Sequence, residues 1–337
     1  MQTTDPRAVR PEDWLDVMKR EYVSSFVRHG GAAVKVVVPR DDEDRHSLIA
    51  GLRSSAEEHG FAFASVDAAT TKLHLVDRLF HAVARQMPWH ALASSLVRRL
   101  LAASGLEVTP QADGVDLAEV ARVNGRDVRW LAQDVKRQLE RELVGHPGMC
   151  QEFRFAMIEL CLEAIGEGQL QPGVAEQWLC GELRLISAMK RALIFSKIHR
   201  HNARHMLLSL TQWLRLAGRS GLVLSLDITQ YTARRAGAAQ GTTLFYTRPA
   251  IMDGYEVVRQ LIDSTDDALG CLTVVVAPPD FLSNESWGLD AYRALKLRVI
   301  DEVHDRYKPN PVSALVRISR EAPALGLAGQ GGDRCDG

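Results

Sequence analysis

Residues 39–46 read Pro-Arg-Asp-Asp-Glu-Asp-Arg-His and lie between an apolar segment and an amphipathic one. A phosphate-binding loop of the pattern G-x-x-x-x-G-K-[ST] would occupy the same stretch. In that alignment Arg45 stands where the loop has its lysine, and His46 stands where it has the hydroxyl that binds Mg²⁺. Pro39 and Asp44 replace the two glycines. These residues predict a degenerate nucleotide site, which keeps a positive charge but lacks most of the groups that bind phosphate and Mg²⁺.

Each replacement would weaken phosphate binding. Pro39 has no N–H to donate and a fixed φ angle, and the planar guanidinium of Arg45 is a poor substitute for a compact ammonium group. The four acidic residues 41–44 would repel a triphosphate, because two like charges roughly 4 Å apart repel by about 4 kcal/mol at an effective dielectric of about 20. The alternative is that this segment never bound phosphate and is an ordinary solvated turn.

A second signal is the apolar segment 222–226, which ends in Asp227. An aspartate at the end of a strand holds Mg²⁺ in P-loop enzymes. The next residue is Ile228, where hydrolysis would need a glutamate to position water. The sequence thus predicts Arg45, His46 and Asp227 as a degenerate nucleotide site without catalytic residues. Binding of ATP and Mg²⁺ is not expected, although it stays open as an alternative.

A basic stretch covers residues 190–205. Lys197, Arg200 and Arg204 are its candidates for contact with nucleic-acid phosphates or with an acidic partner. An ordinary solvated face is the simpler reading. His201 and His205 have the four-residue spacing of metal ligands, but the H-E-x-x-H pattern is absent, so no metal site is predicted.

The amino-acid composition further limits the classes of protein to which this chain can belong. The 337 residues include 41 Lys and Arg against 42 Asp and Glu, and this near-neutral balance argues against a dedicated nucleic-acid coat. The sequence has no run long enough to span a membrane and no apolar signal segment, which predicts a cytoplasmic protein without membrane association. The five cysteines show no C-x-x-C spacing and are expected to be reduced thiols, mostly in the core.

Apolar segments alternate with helical patterns along the chain. Five of them predict strands: 34–38, 61–66, 222–226, 271–277 and 314–318. Such alternation predicts an α/β fold, a five-stranded parallel sheet with helices on both faces. Ligands of these sheets bind beyond the carboxyl ends of the strands, which brings residues 39–46 and Asp227 to one edge.

The stretch between the second and third strands is helical in pattern. We expect an N-terminal helix and first βαβ part at 1–71, a large helical insertion at 72–204, the remainder of the sheet domain at 205–320, and a disordered tail at 321–337. Breaks are predicted at Pro88 and at Asn124-Gly125, a helix over 182–195, an exposed loop over 234–241 and a last helix over 292–303.

The order of these pieces resembles the ATP-binding protein family of the bacteriophage-exclusion (BREX) systems, an AAA+-like branch of the P-loop ATPases. The segments that carry the resemblance are 30–35, 177–182 (QWLCGE), 201–203, 213–218 (WLRLAG) with Asp227, 271–281, 292–295 with Arg298, and 310–318. They extend over most of the chain, and their joint order is more specific than any one of them.

The resemblance implies descent from an ATPase, and the departures from it imply loss of catalysis. Such proteins carry intact Walker motifs and a helical lid after the fifth strand, and here we expect the lid to be missing. A catalytically degenerate subunit of an anti-phage or DNA-transaction complex is therefore expected, a scaffold or regulator of an active ATPase or helicase. A nucleotide-binding regulator and a nucleic-acid-binding module are the alternatives. Arg298 could act in trans on a neighbour's nucleotide in an oligomer, or be a plain surface arginine.

Overall fold

The computed structural model describes residues 7–109, 114–232, 244–300 and 309–324. The loop predicted at 234–241, the end of the last predicted helix and most of the predicted tail lie outside these ranges. Within the tail, Glu321 pairs with Arg40, and Ala322 is buried and donates its N–H to the Ser319 carbonyl.

Within the described ranges the sheet has six strands, all paired in parallel, where five were predicted. The strands are β1 Ala8–Val9, β2 Ala32–Pro39, β3 Ala62–Asp67, β4 Leu222–Asp227, β5 Cys271–Val276 and β6 Leu315–Ile318. Their order across the sheet is β1-β6-β2-β5-β4-β3. The strand that the sequence did not predict is β1, which pairs only with β6. Two residues are too few to show a strand periodicity, so the prediction of five strands was wrong at this edge.

The central strands are mostly apolar because helices cover both of their faces. All six residues of β4 and all six of β5 are buried. Successive residues of β2 contribute to different apolar clusters: Val36 packs with Trp89 and Trp213, and Val37 with Trp14. The parallel α/β sheet predicted from the alternating pattern is confirmed.

Helices occupy the connections between the strands. They are α1 Pro11–Val17, α2 Asp42–Glu58, α3 Val76–Ala84, α4 Trp89–Ala103, α5 Leu117–Val123, α6 Val128–Leu143, α7 Gln151–Ala164, α8 Val174–Leu179, α9 Ala203–Leu216, α10 Arg248–Asp263 and α11 Arg293–Val299. The predicted breaks are observed, since Pro88 precedes α4 and Gly125 has a left-handed φ of 60° between α5 and α6. None of the helices in the described ranges is long and apolar enough to cross a lipid bilayer.

Residues 182–195 do not form the predicted α-helix. A 3₁₀-helix, Ile186–Ala192, takes up the middle of the segment, and its ends are irregular. The inward side chains explain the difference, because Leu183 and Met189 are buried and Ile186 and Ala192 pack against the core, at a spacing of three. A 3₁₀-helix has three residues per turn, so this spacing suits it better than an α-helix.

Helix α1 continues without a break into a π-helix, Met18–Phe26. One consequence is the position of Tyr22, whose ring lies 4.5 Å from the ammonium group of Lys35 on β2. Lys35 is only 6% exposed and also donates to the Val312 carbonyl. The buried cation therefore has both a ring and an oxygen as partners.

Candidate functional site

The turn between β2 and α2 is short and closed by its own side chains. Only Arg40 and Asp41 separate the end of β2 from the start of α2. Asp41 is the N-cap of the helix, and its carboxylate accepts the N–H of Asp44 at 2.8 Å. Free N–H groups at a helix N-terminus are what usually bind a phosphate. Here one of them is already used by a negatively charged cap.

Arg45 forms an ion pair with Asp227 across the carboxyl edge of the sheet. Its Nη1 lies 2.6 Å from Oδ2 of Asp227, whose side chain is only 2% exposed. The other oxygen of Asp227 accepts the N–H of Thr229 at 2.9 Å and its hydroxyl at 2.6 Å. Both oxygens of the carboxylate are thus engaged within the chain.

The charge state of Arg45 follows from two opposing effects. Burial disfavours its cation, but the hydrogen bond and negative charge of Asp227, together with Asp42, outweigh burial and raise the pKa of Arg45 above its usual value. Asp42 Oδ1 accepts a second bond from Arg45 Nε at 3.1 Å. The guanidinium is therefore held in its charged form by two carboxylates.

His46 does not face Asp227. It is exposed, and its Nδ1 contacts the carbonyl of Asp42 one turn earlier in α2. Its other ring nitrogen is 3.4 Å from Arg45 Nη2. The structure thus brings Arg45 and Asp227 together as an ion pair and leaves His46 on the helix surface.

Asp67 is a further member of this site: the sequence places it at the carboxyl end of the second predicted strand, but it was not among the residues predicted to form the nucleotide site. It is directly opposite Asp227 in the register of β3 and β4. Its Oδ1 accepts the N–H of Ala69 at 2.7 Å. Burial, and secondarily the charge of Asp227, raise the pKa of Asp67. The signal was available, since Asp67 also follows an apolar strand.

Asp67 and Asp227 are the side chains of this edge best suited to a divalent cation, because carboxylates are the ligands that Mg²⁺ prefers. The described part of the chain contains no group of three or more His, Cys, Asp or Glu residues placed to hold a metal ion. Arg45 supplies the positive charge that a cation would otherwise bring to Asp227.

Arg320, which follows β6, neutralises much of the acidic turn. Its Nε is 2.8 Å from Oδ1 of Asp44, a residue only 1% exposed. The same guanidinium pairs with Glu43 and lies 3.7 Å from Asp41. The turn is therefore less repulsive to an anion than its sequence indicates, and the geometry of the cap becomes the stronger obstacle to phosphate.

An open cavity of about 470 Å³ lies beside the turn, at the carboxyl ends of β2 and β6. Its wall includes Pro39, Arg40, Pro279, Leu282, Arg317 and Ser319. Apolar and cationic groups thus line the same space. In a parallel α/β sheet this edge is where ligands bind.

The remaining predicted residues lie away from the Arg45–Asp227 pair. Arg298 donates to both oxygens of Asp263, at 2.5 and 3.1 Å, and ties α11 to α10. Lys197 donates to the carbonyl of Arg184 at 3.0 Å. Arg200 is exposed, and Arg204 lies 4.0 Å from Asp267. The basic residues therefore belong to a different surface.

Comparison with other proteins gives one informative result. Neither the curated proteins nor the solved structures contain a match to this chain. The family model described as "BREX system ATP-binding protein BrxC/D" matches residues 25–320, which include β2 to β6 and the whole Arg45–Asp227 site. The chain therefore belongs to the BrxC/D family of BREX system ATP-binding proteins.

Proposed function

We propose that this chain is a non-hydrolysing subunit of a bacterial anti-phage BREX complex, which works by binding a partner protein rather than by turning over ATP. The observation that carries the proposal is the ion pair between Arg45 and Asp227. The residue that would bind phosphate and the residue that would bind Mg²⁺ neutralise each other. Neither is available to nucleotide unless the pair is separated.

The free-energy cost of separating Arg45 from Asp227 supports the proposal that the chain does not turn over ATP. Removing one partner from a buried ion pair leaves an uncompensated charge and costs about 3–5 kcal/mol. A nucleotide that took Arg45 alone would leave Asp227, with a side chain only 2% exposed, without its cation. The favourable free energy of nucleotide binding would have to exceed that cost before any affinity could be measured.

Hydrolysis meets a second obstacle. The residue after Asp227 is Ile228, which is 2% exposed and has no group that could orient water. A general base must lie within hydrogen-bond reach of the water that it activates. The partner protein would therefore supply the intact nucleotide site, and an active ATPase or helicase of the same system fits that role.

Isothermal titration calorimetry with ATP and Mg²⁺, together with a turnover assay, tests this proposal on the full chain. We expect neither heat of binding nor release of phosphate above a blank. The matched variant is Asp227→Ala, which should behave like the wild type in the turnover assay. Turnover by the wild type that Asp227→Ala abolishes would refute the proposal.

A second candidate function is a nucleotide-binding regulator, and the cavity of about 470 Å³ beside Arg40 favours it. In this version Mg²⁺ replaces Arg45 at Asp227, and the freed guanidinium binds a phosphate. Mg²⁺ would give Asp227 a cationic partner in place of the guanidinium, so the cost of separation would be partly offset. Heat of binding with ATP and Mg²⁺, without turnover, would select this candidate over the first.

A further inference from the structure

Three large apolar side chains are exposed close together in sequence, around the 3₁₀-helix. Leu185 is 71% exposed, Leu193 57% and Phe195 65%, and we call these three residues the apolar patch. Single exposed apolar residues are common on protein surfaces. Three such residues on one short segment are not, and contiguous patches of this kind often mark interaction sites.

Leu185 directly precedes the 3₁₀-helix, and Leu193 and Phe195 follow it. After the 3₁₀-helix the chain alternates, with Leu193, Phe195 and Lys197 exposed and Ile194 and Ile198 buried. Alternation of this kind sends successive side chains to opposite faces. Lys197 then reaches back to the carbonyl of Arg184, the residue before Leu185. The two ends of the segment that carry the patch therefore lie close together.

Leu193 has a backbone conformation that leucine rarely adopts. Its φ of 58° makes it the only non-glycine residue with a positive φ in the described ranges. Such a conformation costs a non-glycine residue about 1–2 kcal/mol. The leucine does not repay this cost by burial, since most of its side chain is in water. An exposed residue held in a strained conformation is an outlier of the kind found at functional sites.

The segment is held firmly from beneath. Met189 and Ile194 are fully buried, and the indole of Trp178 donates to the Ser196 carbonyl at 3.0 Å. The apolar patch is therefore presented by an ordered scaffold and not by a free loop. A preformed surface loses less entropy on binding than one that must first be ordered.

The segment that carries the patch is basic, although the exposed Glu182 lies just before it. Residues 183–205 contain six Arg and Lys residues and no Asp or Glu, in a chain whose net charge is -1. We call Arg184, Lys190 and Arg191 the basic rim. Within the residues that the structure describes, none of the three forms an ion pair with a carboxylate.

We propose that the apolar patch and its basic rim form the docking surface for an acidic amphipathic segment of a partner protein. Apolar residues of that segment cover the patch, and its carboxylates meet the rim. Nucleic acid is a poorer occupant, because Phe195 is the one aromatic ring of the patch and the two leucines offer neither a stacking ring nor a hydrogen bond to a base. The proposal deepens the proposed function and rests on it for the partner being a protein.

Site-specific photocrosslinking in host cells that carry the BREX system tests the docking surface. A photoreactive phenylalanine analogue replaces Phe195, and the matched control carries it at Leu297, which is 66% exposed on α11. The crosslinked peptide is sequenced by mass spectrometry. We expect it to come from another protein and to combine Asp or Glu residues with apolar residues at helical or strand spacing.

Four outcomes would overturn the docking surface. They are a crosslink to nucleic acid, a crosslink to a second copy of the chain, a crosslinked peptide without acidic residues, and a yield at position 195 no higher than at position 297. A crosslink to an acidic amphipathic peptide supports the proposal only if the basic rim is needed. The triple variant Arg184→Glu/Lys190→Glu/Arg191→Glu should therefore reduce its yield by about tenfold or more, since like charges across an interface oppose association.

The variant Leu193→Asn tests the apolar patch without destabilising the fold. Asparagine tolerates a left-handed φ better than leucine does, so the variant should be at least as stable as the wild type to urea. Its crosslink yield at position 195 should nevertheless fall several-fold. The docking surface and the proposed function are also refuted by different results. A partner complex that survives every patch variant would remove the docking surface alone, whereas ATP turnover would remove the proposed function and leave the crosslink map unchanged.

Discussion

Arg45 and Asp227 are 182 residues apart in the sequence, and their side chains meet at 2.6 Å at the carboxyl edge of the sheet. The pair joins helix α2 to strand β4. Arg45→Met should lower the free energy of unfolding by about 3 kcal/mol, because it leaves the buried carboxylate of Asp227 without its cation. Urea denaturation measures this loss.

The double variant Arg45→Met/Asp227→Leu should recover part of the loss, since it removes both charges. The matched control is Arg20→Met, because Arg20 is 63% exposed and pairs only with its neighbour Glu21. A surface pair of this kind contributes little. If Arg45→Met were as mild as the control, the ion pair would not be buried in solution.

Arg320 ties the segment after β6 to the start of α2 through Asp44 and Glu43. Arg320→Ala should loosen that segment without unfolding the sheet. Amide hydrogen exchange should accelerate at Ala322 and at Arg40, whose N–H groups are bonded within or to this segment. Exchange in β4 should stay unchanged, and acceleration there would show that the variant acts globally.

The low pKa of Glu256 predicts that the protein loses stability in acid. A hydrogen bond from Arg259 lowers the pKa of Glu256 to about 2, with a further contribution from the hydroxyl of Tyr292. A carboxyl whose pKa is lower in the folded state stabilises the protein above its unfolded pKa, and this contribution is lost as the pH falls through the folded value. The wild type should therefore lose stability between about pH 4.5 and pH 2 more steeply than Glu256→Gln. Equal slopes in thermal denaturation would contradict this account.

The buried thiols should resist alkylation in the native protein. Burial raises the pKa of Cys180 and Cys271 to about 11 and raises that of Cys161 further still. The thiolate is the reactive form, so iodoacetamide at pH 8 should label these three residues only after denaturation, as peptide mapping by mass spectrometry would show. Rapid labelling of Cys180 in the native state would mean that its segment opens.

Much of the sheet could be predicted from local patterns. The strands β2 to β6 are apolar runs that end at turn residues, and the alternation with helices is enough to indicate a parallel arrangement. The same reasoning placed residues 39–46 and Asp227 at one edge of the sheet, but the ion pair between Arg45, in the first turn of α2, and Asp227 was not predicted. The π-helix Met18–Phe26 was not predictable, since its side-chain pattern fits an ordinary helix as well.

The contacts that the sequence could not reveal are long-range ones. Nothing near Asp44 in the sequence indicates that Arg320 neutralises it, because the two residues are 276 positions apart. The exposure of Leu193 and Phe195 was equally hidden. Apolar residues in an apparently helical pattern are expected in the core, but here both residues follow the 3₁₀-helix Ile186–Ala192, which ends at the left-handed Leu193.

In the part of the chain that the structure describes, strand β2 pairs with β5 and β6, and both of these strands are synthesised long after it. From Pro39 to Cys271 synthesis must add about 230 residues, which takes roughly 10–50 s at about 5–20 residues per second. During that time β2 has both of its edges unpaired. The nascent chain therefore exposes an apolar strand for much of its translation, and a truncation before Cys271 would deprive that strand of every neighbour it has in the finished sheet.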